Sequence, residues 1–195
     1  MKFEEFNLDA RLITGINDMG FTLPTPIQEQ SIPPALQNKD VLGLAQTGTG
    51  KTAAFMLPIL QRLLKGQTRQ VRALIVAPTR ELAEQIHETA VSLGKHTKIR
   101  SVTVYGGINK KRQVDGLRRG AEIVVACPGR LLDLVGEGDI DLSKVEVLVL
   151  DEADRMFDMG FLPDIRRIIK LLPQERQNLF YSATMPKDIR DLTDS

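Results

Sequence analysis

Residues 45–52 read Ala45-Gln46-Thr47-Gly48-Thr49-Gly50-Lys51-Thr52, between the apolar run Val41–Ala45 and a helical pattern over Thr52–Leu64. A strand, a Gly/Thr loop and a helix in that order make a cradle for an anion. Glycines let backbone N–H groups approach phosphate oxygens, and the helix N-terminus favours negative charge. In such a loop Thr47, Gly48, Thr49 and Gly50 wrap the phosphates of a nucleotide, Lys51 bridges the outer ones, and the Thr52 hydroxyl ligates Mg²⁺. The strict motif has Gly where Ala45 stands. The bland alternative is a Gly/Thr-rich turn, but Gly-Lys-Thr between strand and helix is demanding.

A second cluster, Asp151-Glu152-Ala153-Asp154, closes the apolar run Val145–Leu150. Alone, acids after a strand are usually a solvated turn or a helix start. Paired with the loop above, Asp151 is placed to hold Mg²⁺, and Glu152 could polarise an attacking water. Together the two stretches describe a site that binds a nucleoside triphosphate with Mg²⁺ and can activate water.

Around these stretches the pattern alternates. Val41–Ala45, Ala73–Ala77, Ser101–Tyr105, Ile123–Ala126, Val145–Leu150 and Leu179–Ser182 are short, nearly continuous apolar runs, which predicts strands buried on both faces of a parallel sheet. Helical patterns lie between them at Thr52–Leu64, Glu81–Leu93, Lys110–Arg118, Arg130–Val135 and Pro163–Leu172. The fold class is therefore α/β, a parallel sheet with helices on both faces and ligands at the carboxyl ends of the strands. Ahead of the first strand, residues 1–38 hold a helix at Asp9–Met19, an extended turn at Pro24-Thr25-Pro26 and a second helix near Ile27–Gln30. Residues 39–195 form the core domain. No closing strand or helix signal precedes Asp194-Ser195, so truncation is expected.

Lys and Arg number 26 and Asp and Glu 25, so whole-chain charge does not announce a nucleic-acid binder. The single cysteine, Cys127, excludes an internal disulfide and fits a reducing compartment. No apolar run reaches membrane-spanning length and the N-terminus lacks an apolar signal core. A cytoplasmic protein with no membrane partner is expected.

Asp151-Glu152-Ala153-Asp154 also spells the signature of the DEAD-box RNA helicases, and further stretches follow in that family's order. Gly20-Phe21-Thr22-Leu23-Pro24-Thr25-Pro26-Ile27-Gln28 resembles its Q motif, and Phe3 the aromatic upstream. Pro78-Thr79-Arg80-Glu81-Leu82-Ala83 resembles motif Ia, Gly106-Gly107 the glycine doublet, Cys127-Pro128-Gly129-Arg130 motif Ib, and Ser182-Ala183-Thr184 motif III. At Cys127 the family usually has Thr. The resemblance covers essentially the whole chain and implies the N-terminal RecA-like domain of an ATP-dependent RNA helicase, without the second RecA-like domain that completes the enzyme. It implies ATP and Mg²⁺ as cofactors, with Gln28 reading adenine and Phe21 stacking on it. It further implies that Arg80, Gly107, Gly129 and Arg130 grip RNA backbone regardless of sequence, and that Asp154, Ser182 and Thr184 couple nucleotide state to domain arrangement.

The residues are chemically suited to those roles. Gln28 offers an acceptor and two donors, enough for adenine's N6 and N7. Arginine binds phosphate bidentately, and glycine lets a sugar-phosphate chain come close. Other readings stay open. Arg80 could pair with Glu84 one turn on, Phe3 could simply pack beneath the segment, and Cys127 could be a small residue at a strand end. The basic stretch Lys95–Arg119 is a solvated face or a weak attractor of RNA, and His87 and His96 read as surface helix residues. A P-loop kinase or small GTPase-like switch lacks an acceptor-binding or guanine-reading segment. A module that holds nucleotide without turning it over is the non-enzymatic rival, separable by measuring ATPase with and without RNA.

Overall fold

The computed structural model describes residues 1–193. Six strands, β1 (Val41–Leu44), β2 (Ala73–Val76), β3 (Ser101–Val104), β4 (Ile123–Ala126), β5 (Val147–Leu150) and β6 (Gln177–Ser182), form one sheet in the order β1-β6-β5-β2-β4-β3. Every pairing is parallel. Nine helices accompany them among the described residues: α1 (Ala10–Asp18), α2 (Pro26–Leu36), α3 (Lys51–Leu63), α4 (Arg80–Leu93), α5 (Lys110–Arg118), α6 (Pro128–Gly136), α7 (Ala153–Asp158), α8 (Leu162–Leu171) and α9 (Lys187–Thr193).

Side chains alternate across each strand, so the sheet splits the apolar residues into two cores. Ala73, Ile75, Val147 and Val149 join Leu12, Ile16, Ile32, Phe55 and Ile86 on the face covered by α1–α4. Leu74, Val76, Leu148 and Leu150 join Val114, Leu131, Met156 and Ile168 on the face covered by α5–α9. The N-terminal segment belongs to the first core: Phe3 and Phe6 are buried in a short 3-10 turn. A Cβ added to Gly15 of α1 would lie 2.3 Å from the Leu93 carbonyl oxygen at the end of α4. That approach needs glycine.

The four inner strands are covered on both faces, as their apolar runs predict. The edge strands are not: Val41 and Leu42 are half-buried, Leu44 is 59% exposed, and Ser101–Thr103 are half-buried. An apolar run does not reveal how many neighbours a strand has. Bounds also move. β5 starts at Val147, β6 reaches back to Gln177, and α2 runs on to Leu36 through Pro33 and Pro34. Those prolines remove helical N–H donors, yet Ile32 and Ala35 on either side of them are buried in the first core, and burial wins. A short helix, α7, starts within the acidic cluster, with Glu152 as its N-cap and Asp154 in its first turn. α9 is a further helix that no sequence signal marked, burying Ile189 and Leu192; Asp194 and Ser195 lie outside the described residues.

Strand order positions the site. β6 lies between β1 and β5, so the loop after β1, the acids after β5 and Ser182 at the end of β6 emerge side by side at the carboxyl edge. In open parallel sheets that edge is where ligands sit.

Candidate functional site

The loop from Gln46 to Gly50 turns on two glycines with left-handed backbone, Gly48 (φ +83°) and Gly50 (φ +84°). Thr49 fixes the turn by donating its hydroxyl to the Gln46 carbonyl at 2.7 Å. Gly50 is required twice over. Besides its φ, a Cβ there would lie 2.7 Å from Gln28 Nε2 and 2.9 Å from Thr25 Oγ1. α3 begins at once with Lys51 and Thr52, so its first N–H groups face the loop.

Lys51 is 5% exposed and Asp151 wholly buried, with Nζ 3.0 Å from Oδ1. Burial pushes the Asp151 carboxyl up, and the Lys51 ammonium opposes that rise. Asp151 Oδ1 also accepts the Glu152 N–H at 2.9 Å, while Oδ2 is buried with no hydrogen-bond partner. A buried carboxylate oxygen without a donor fits a hard cation with oxygen ligands, and Thr52, half-buried in the first turn of α3, carries a further hydroxyl oxygen. Glu152 sits in left-handed backbone (φ 50°, ψ 51°), uncommon for a non-glycine residue. Its carboxylate is held from three sides: Thr47 donates to Oε1 at 3.2 Å, Arg155 to Oε2 at 3.2 Å, and Lys51 Nζ lies 3.7 Å away.

Asp154 turns to β6. Thr184 donates its backbone N–H at 3.2 Å and its hydroxyl at 3.0 Å to Asp154 Oδ2, and the Asp154 N–H donates to buried Ser182 Oγ at 3.3 Å. Burial would raise this carboxyl, but the Thr184, Arg155 and Ser182 donors outweigh it and hold it low. The three residues form one connected unit between β5 and β6.

Gln28 is not an ordinary helix-surface residue. It is 3% exposed, its Oε1 accepts the Thr25 N–H at 3.0 Å, and its Nε2 donates to the Gly50 carbonyl at 3.0 Å. One amide thus fixes the start of α2 and ties it to the phosphate-type loop. Phe21 is half-buried and stacks on buried Phe3, ring centroids 6.4 Å apart.

Along the strand ends toward β3 lie the arginines. Arg80 opens α4 with its guanidinium 5.9 Å from the Tyr105 ring and its Nε 3.9 Å from Glu81. The pairing with Glu84 does not form, because Glu84 Oε1 is taken by the Tyr105 hydroxyl at 2.8 Å and the Thr103 hydroxyl at 3.1 Å. Arg130 donates to the Ile108 carbonyl at 3.3 Å and to Gln113 Oε1 at 3.2 Å, which draws the Gly107 loop (φ +86°) against the start of α6. Gly129 is in open space, so no neighbour forbids a side chain there. Cys127 precedes α6 without capping it by side chain. Its thiol is pushed up to about 11, by burial first and then by Glu81. His87 lies on α4, bonded to Ser101 Oγ at 3.0 Å. His96 is in the turn beyond α4 rather than on a helix, 2.6 Å from Asp18.

Sequence reasoning missed two residues of this site. Gln113, 2% exposed, joins Arg130 to the Tyr105 carbonyl (2.8 Å), and nothing in a basic helical stretch marks it as buried. Arg155 holds Glu152, and its spacing of three from that acid was a readable signal.

A family model described as DEAD/DEAH box helicase matches residues 25–192. ATP-dependent RNA helicase CshA of Listeria monocytogenes is 50% identical over 189 residues, covering 97% of this chain and 36% of that protein. DEAD-box ATP-dependent RNA helicase RhpA of Helicobacter pylori is 47% identical over 192 residues, covering 98% and 39%. The crystal structure of a DEAD box protein from the hyperthermophile Methanococcus jannaschii, 37% identical, matches with a TM-score of 0.94 over 100% of this chain and 53% of that one. The chain thus spans well under half the length of these two curated relatives.

Proposed function

Since the chain belongs to the DEAD/DEAH box helicase family, we propose that it is the ATP-binding RecA-like half of an ATP-dependent RNA helicase. Residues 1–38 form the base-reading segment and 39–195 the phosphate and RNA platform. The observation that carries this reading is the buried Lys51–Asp151 pair lying under a glycine loop, with Glu152 held beside it.

The N–H groups of residues 48–52 and the Lys51 ammonium would take the phosphates, each a charge-assisted bond. Lys51 would exchange part of its contact with Asp151 for phosphate. Asp151 and Thr52 would then hold Mg²⁺, partly through water, and the ion would neutralise phosphate charge. Glu152, already fixed by Thr47 and Arg155, would orient the attacking water and take its proton. Gln28 would read adenine on its remaining lone pair and N–H, and Phe21 would stack on the base. Arg80, Gly107, Gly129 and Arg130 would carry RNA backbone along the neighbouring rim. Asp154, Ser182 and Thr184 would pass nucleotide state to a second RecA-like domain in a longer chain. A cytoplasmic setting agrees with the single cysteine; no helix of the described residues is long and apolar enough to cross a membrane.

The test is Mg·ATP binding by calorimetry and phosphate release with and without RNA, on the parent and Glu152→Gln. We expect ATP to bind both proteins alike, GTP to compete poorly, and turnover to fall at least about a hundredfold in the variant, the scale of a lost general base. Equal competition by GTP would sink the base assignment. Unchanged turnover in Glu152→Gln would sink the catalytic one. ATP binding without any turnover, even with RNA and a supplied second domain, would favour the non-enzymatic alternative.

A further inference from the structure

β3 is an edge strand, and its open side is accessible. The Arg100 carbonyl accepts from Glu122 and Ile123, and the Val104 carbonyl accepts the Cys127 N–H at 2.9 Å, so the even-numbered residues point their backbone groups at β4. Parallel pairing alternates. Ser101 and Thr103 therefore turn their N–H and C=O groups outward, where no strand pairs with them. Proteins usually blunt such an edge with charge, proline or a covering element. Here cations border it, but no proline or covering strand among the described residues closes it, and α4 and α5 flank it and leave a groove of about 520 Å³.

The groove has a definite chemistry. Its apolar patches are Val91, 53% exposed, with Ile99 and Val102; its charges are Lys95, Arg100 and Arg119, and no acid lines it; Glu84, whose Oε1 is occupied by the Thr103 and Tyr105 hydroxyls, lies beyond its far end. Arg100 donates to the Arg119 carbonyl at 3.2 Å rather than to a carboxylate. Asp18 lies near Lys95 but is already held by His96 at 2.6 Å. None of the three groove cations is in an ion pair among the described residues. Unpaired backbone donors and acceptors, an apolar strip and a cationic border together specify the complement.

We infer that the β3 edge is a docking site for an extended acidic peptide segment of a partner protein, added to the sheet as a seventh strand. Backbone bonds to Ser101 and Thr103 supply register, as in strand addition generally. Alternate side chains of the added strand fall on the α4 side, over Val91, and on the α5 side, beside Arg119. Carboxylates on that strand meet Lys95, Arg100 and Arg119. A single RNA strand is the less suitable occupant, because the one aromatic ring in the groove, His87, is half-buried and held to Ser101 Oγ at 3.0 Å, and the groove offers no Phe, Tyr or Trp on which a base could stack. The site is separate from the nucleotide-binding loop and does not depend on that assignment.

The probe is a fluorescein-labelled peptide of about eight alternating Glu and Val residues, titrated into the 195-residue chain at low salt and followed by anisotropy. Amide hydrogen exchange of β3 is read in parallel. We expect saturable binding and slowed exchange at Ser101 and Thr103, with Val102 unchanged. A Lys–Val peptide should not bind. Arg119→Glu should weaken binding about tenfold, as loss and reversal of a border charge do. Ser101→Pro should also weaken it, removing an outward N–H that the ladder with β4 does not use. Peptide binding without protection of Ser101 and Thr103 overturns the proposal, as does equal binding of the Lys–Val peptide. It is also overturned if protection of these amides depends on protein concentration alone, which would mean a second copy of the chain, or if it arises only with a uridine oligonucleotide.

Discussion

Replacing Lys51 by alanine should weaken nucleotide binding on the proposed reading, and on the geometry alone it should destabilise the fold. Asp151 is fully buried, and Lys51 supplies its one cationic contact within 4 Å among the described residues. In Lys51→Ala, Oδ1 keeps the Glu152 N–H and Oδ2 remains without a donor. Removing one partner of a buried pair strands the other charge, at a cost of about 3–5 kcal/mol. For a domain of this length each kcal/mol lowers Tm by about 2–4 °C, so a drop of about 6–20 °C follows. The sign with pH is fixed. Burial raises the Asp151 carboxyl and Lys51 opposes the rise, so without Lys51 its folded pKa sits further above the unfolded value. The deficit is therefore full above the folded pKa and shrinks as pH falls through it, because protonation removes the stranded charge. Urea unfolding by circular dichroism, repeated across pH, reads both effects. The double variant Lys51→Ala/Asp151→Asn should recover most of the loss near neutral pH. An unfolding midpoint in Lys51→Ala equal to the parent's, or a double variant no more stable than the single, would refute the reasoning.

Three further outcomes follow from the geometry. Gly15→Ala places a methyl 2.3 Å from the Leu93 carbonyl oxygen and should cost about 1–3 kcal/mol by forcing α1 off α4, read by urea unfolding; a neutral substitution would show that the two helices can part freely. Cys127, whose thiol is shifted from 9.0 to about 11, should carry about a hundredfold less thiolate near neutral pH than an unperturbed thiol, so alkylation by iodoacetamide should be correspondingly slow and accelerate toward pH 11. A neutral-pH rate matching a free cysteine would contradict that environment. Gln113→Leu strips the Tyr105 carbonyl and Arg130 of a buried partner and should cost about 1–3 kcal/mol; on the proposed reading it should also weaken RNA binding while leaving Mg·ATP affinity unchanged, and equal RNA affinity would mean Arg130 is placed without it.

The parts legible in the sequence are those whose physics is local. A buried inner strand such as Ile123–Ala126 needs apolar residues at every position, so composition alone reveals it. Gly48, Gly50 and Lys51 are fixed by backbone geometry and charge within six residues. What the sequence hid depends on distant partners. Leu44 reads like Leu150, yet one ends an edge strand and the other an inner one. Pro33-Pro34 argues for a break that the burial of Ile32 and Ala35 overrides. Gln113 looks like any polar residue of a basic helix until β3, α5 and α6 meet around it.

Those distant contacts also explain how the groups assigned to ligands stay in place without them. Lys51 has three donors and contacts Asp151 and Glu152; Arg130 has five and makes three bonds, to Ile108 and Gln113; Gln28 uses one lone pair on Thr25 and one N–H on Gly50. Each internal bond restricts a side chain whose ordering would otherwise oppose binding by about 0.5–1.5 kcal/mol. Gln28 and Arg130 still retain bonding capacity, so they can engage a ligand without first surrendering the contact that positions them. Asp151 differs. Its Oδ2 has no internal partner at all, in a setting where an unsatisfied polar atom costs about 1–3 kcal/mol. That cost is borne by the fold and, on the proposed reading, would be relieved by a cation at Oδ2, which would make the carboxylate a reservoir of binding energy rather than of stability. The same logic accounts for the left-handed backbone of Glu152: strain held at one residue by Thr47, Lys51 and Arg155 keeps its carboxylate facing the loop, where the proposed reading needs it.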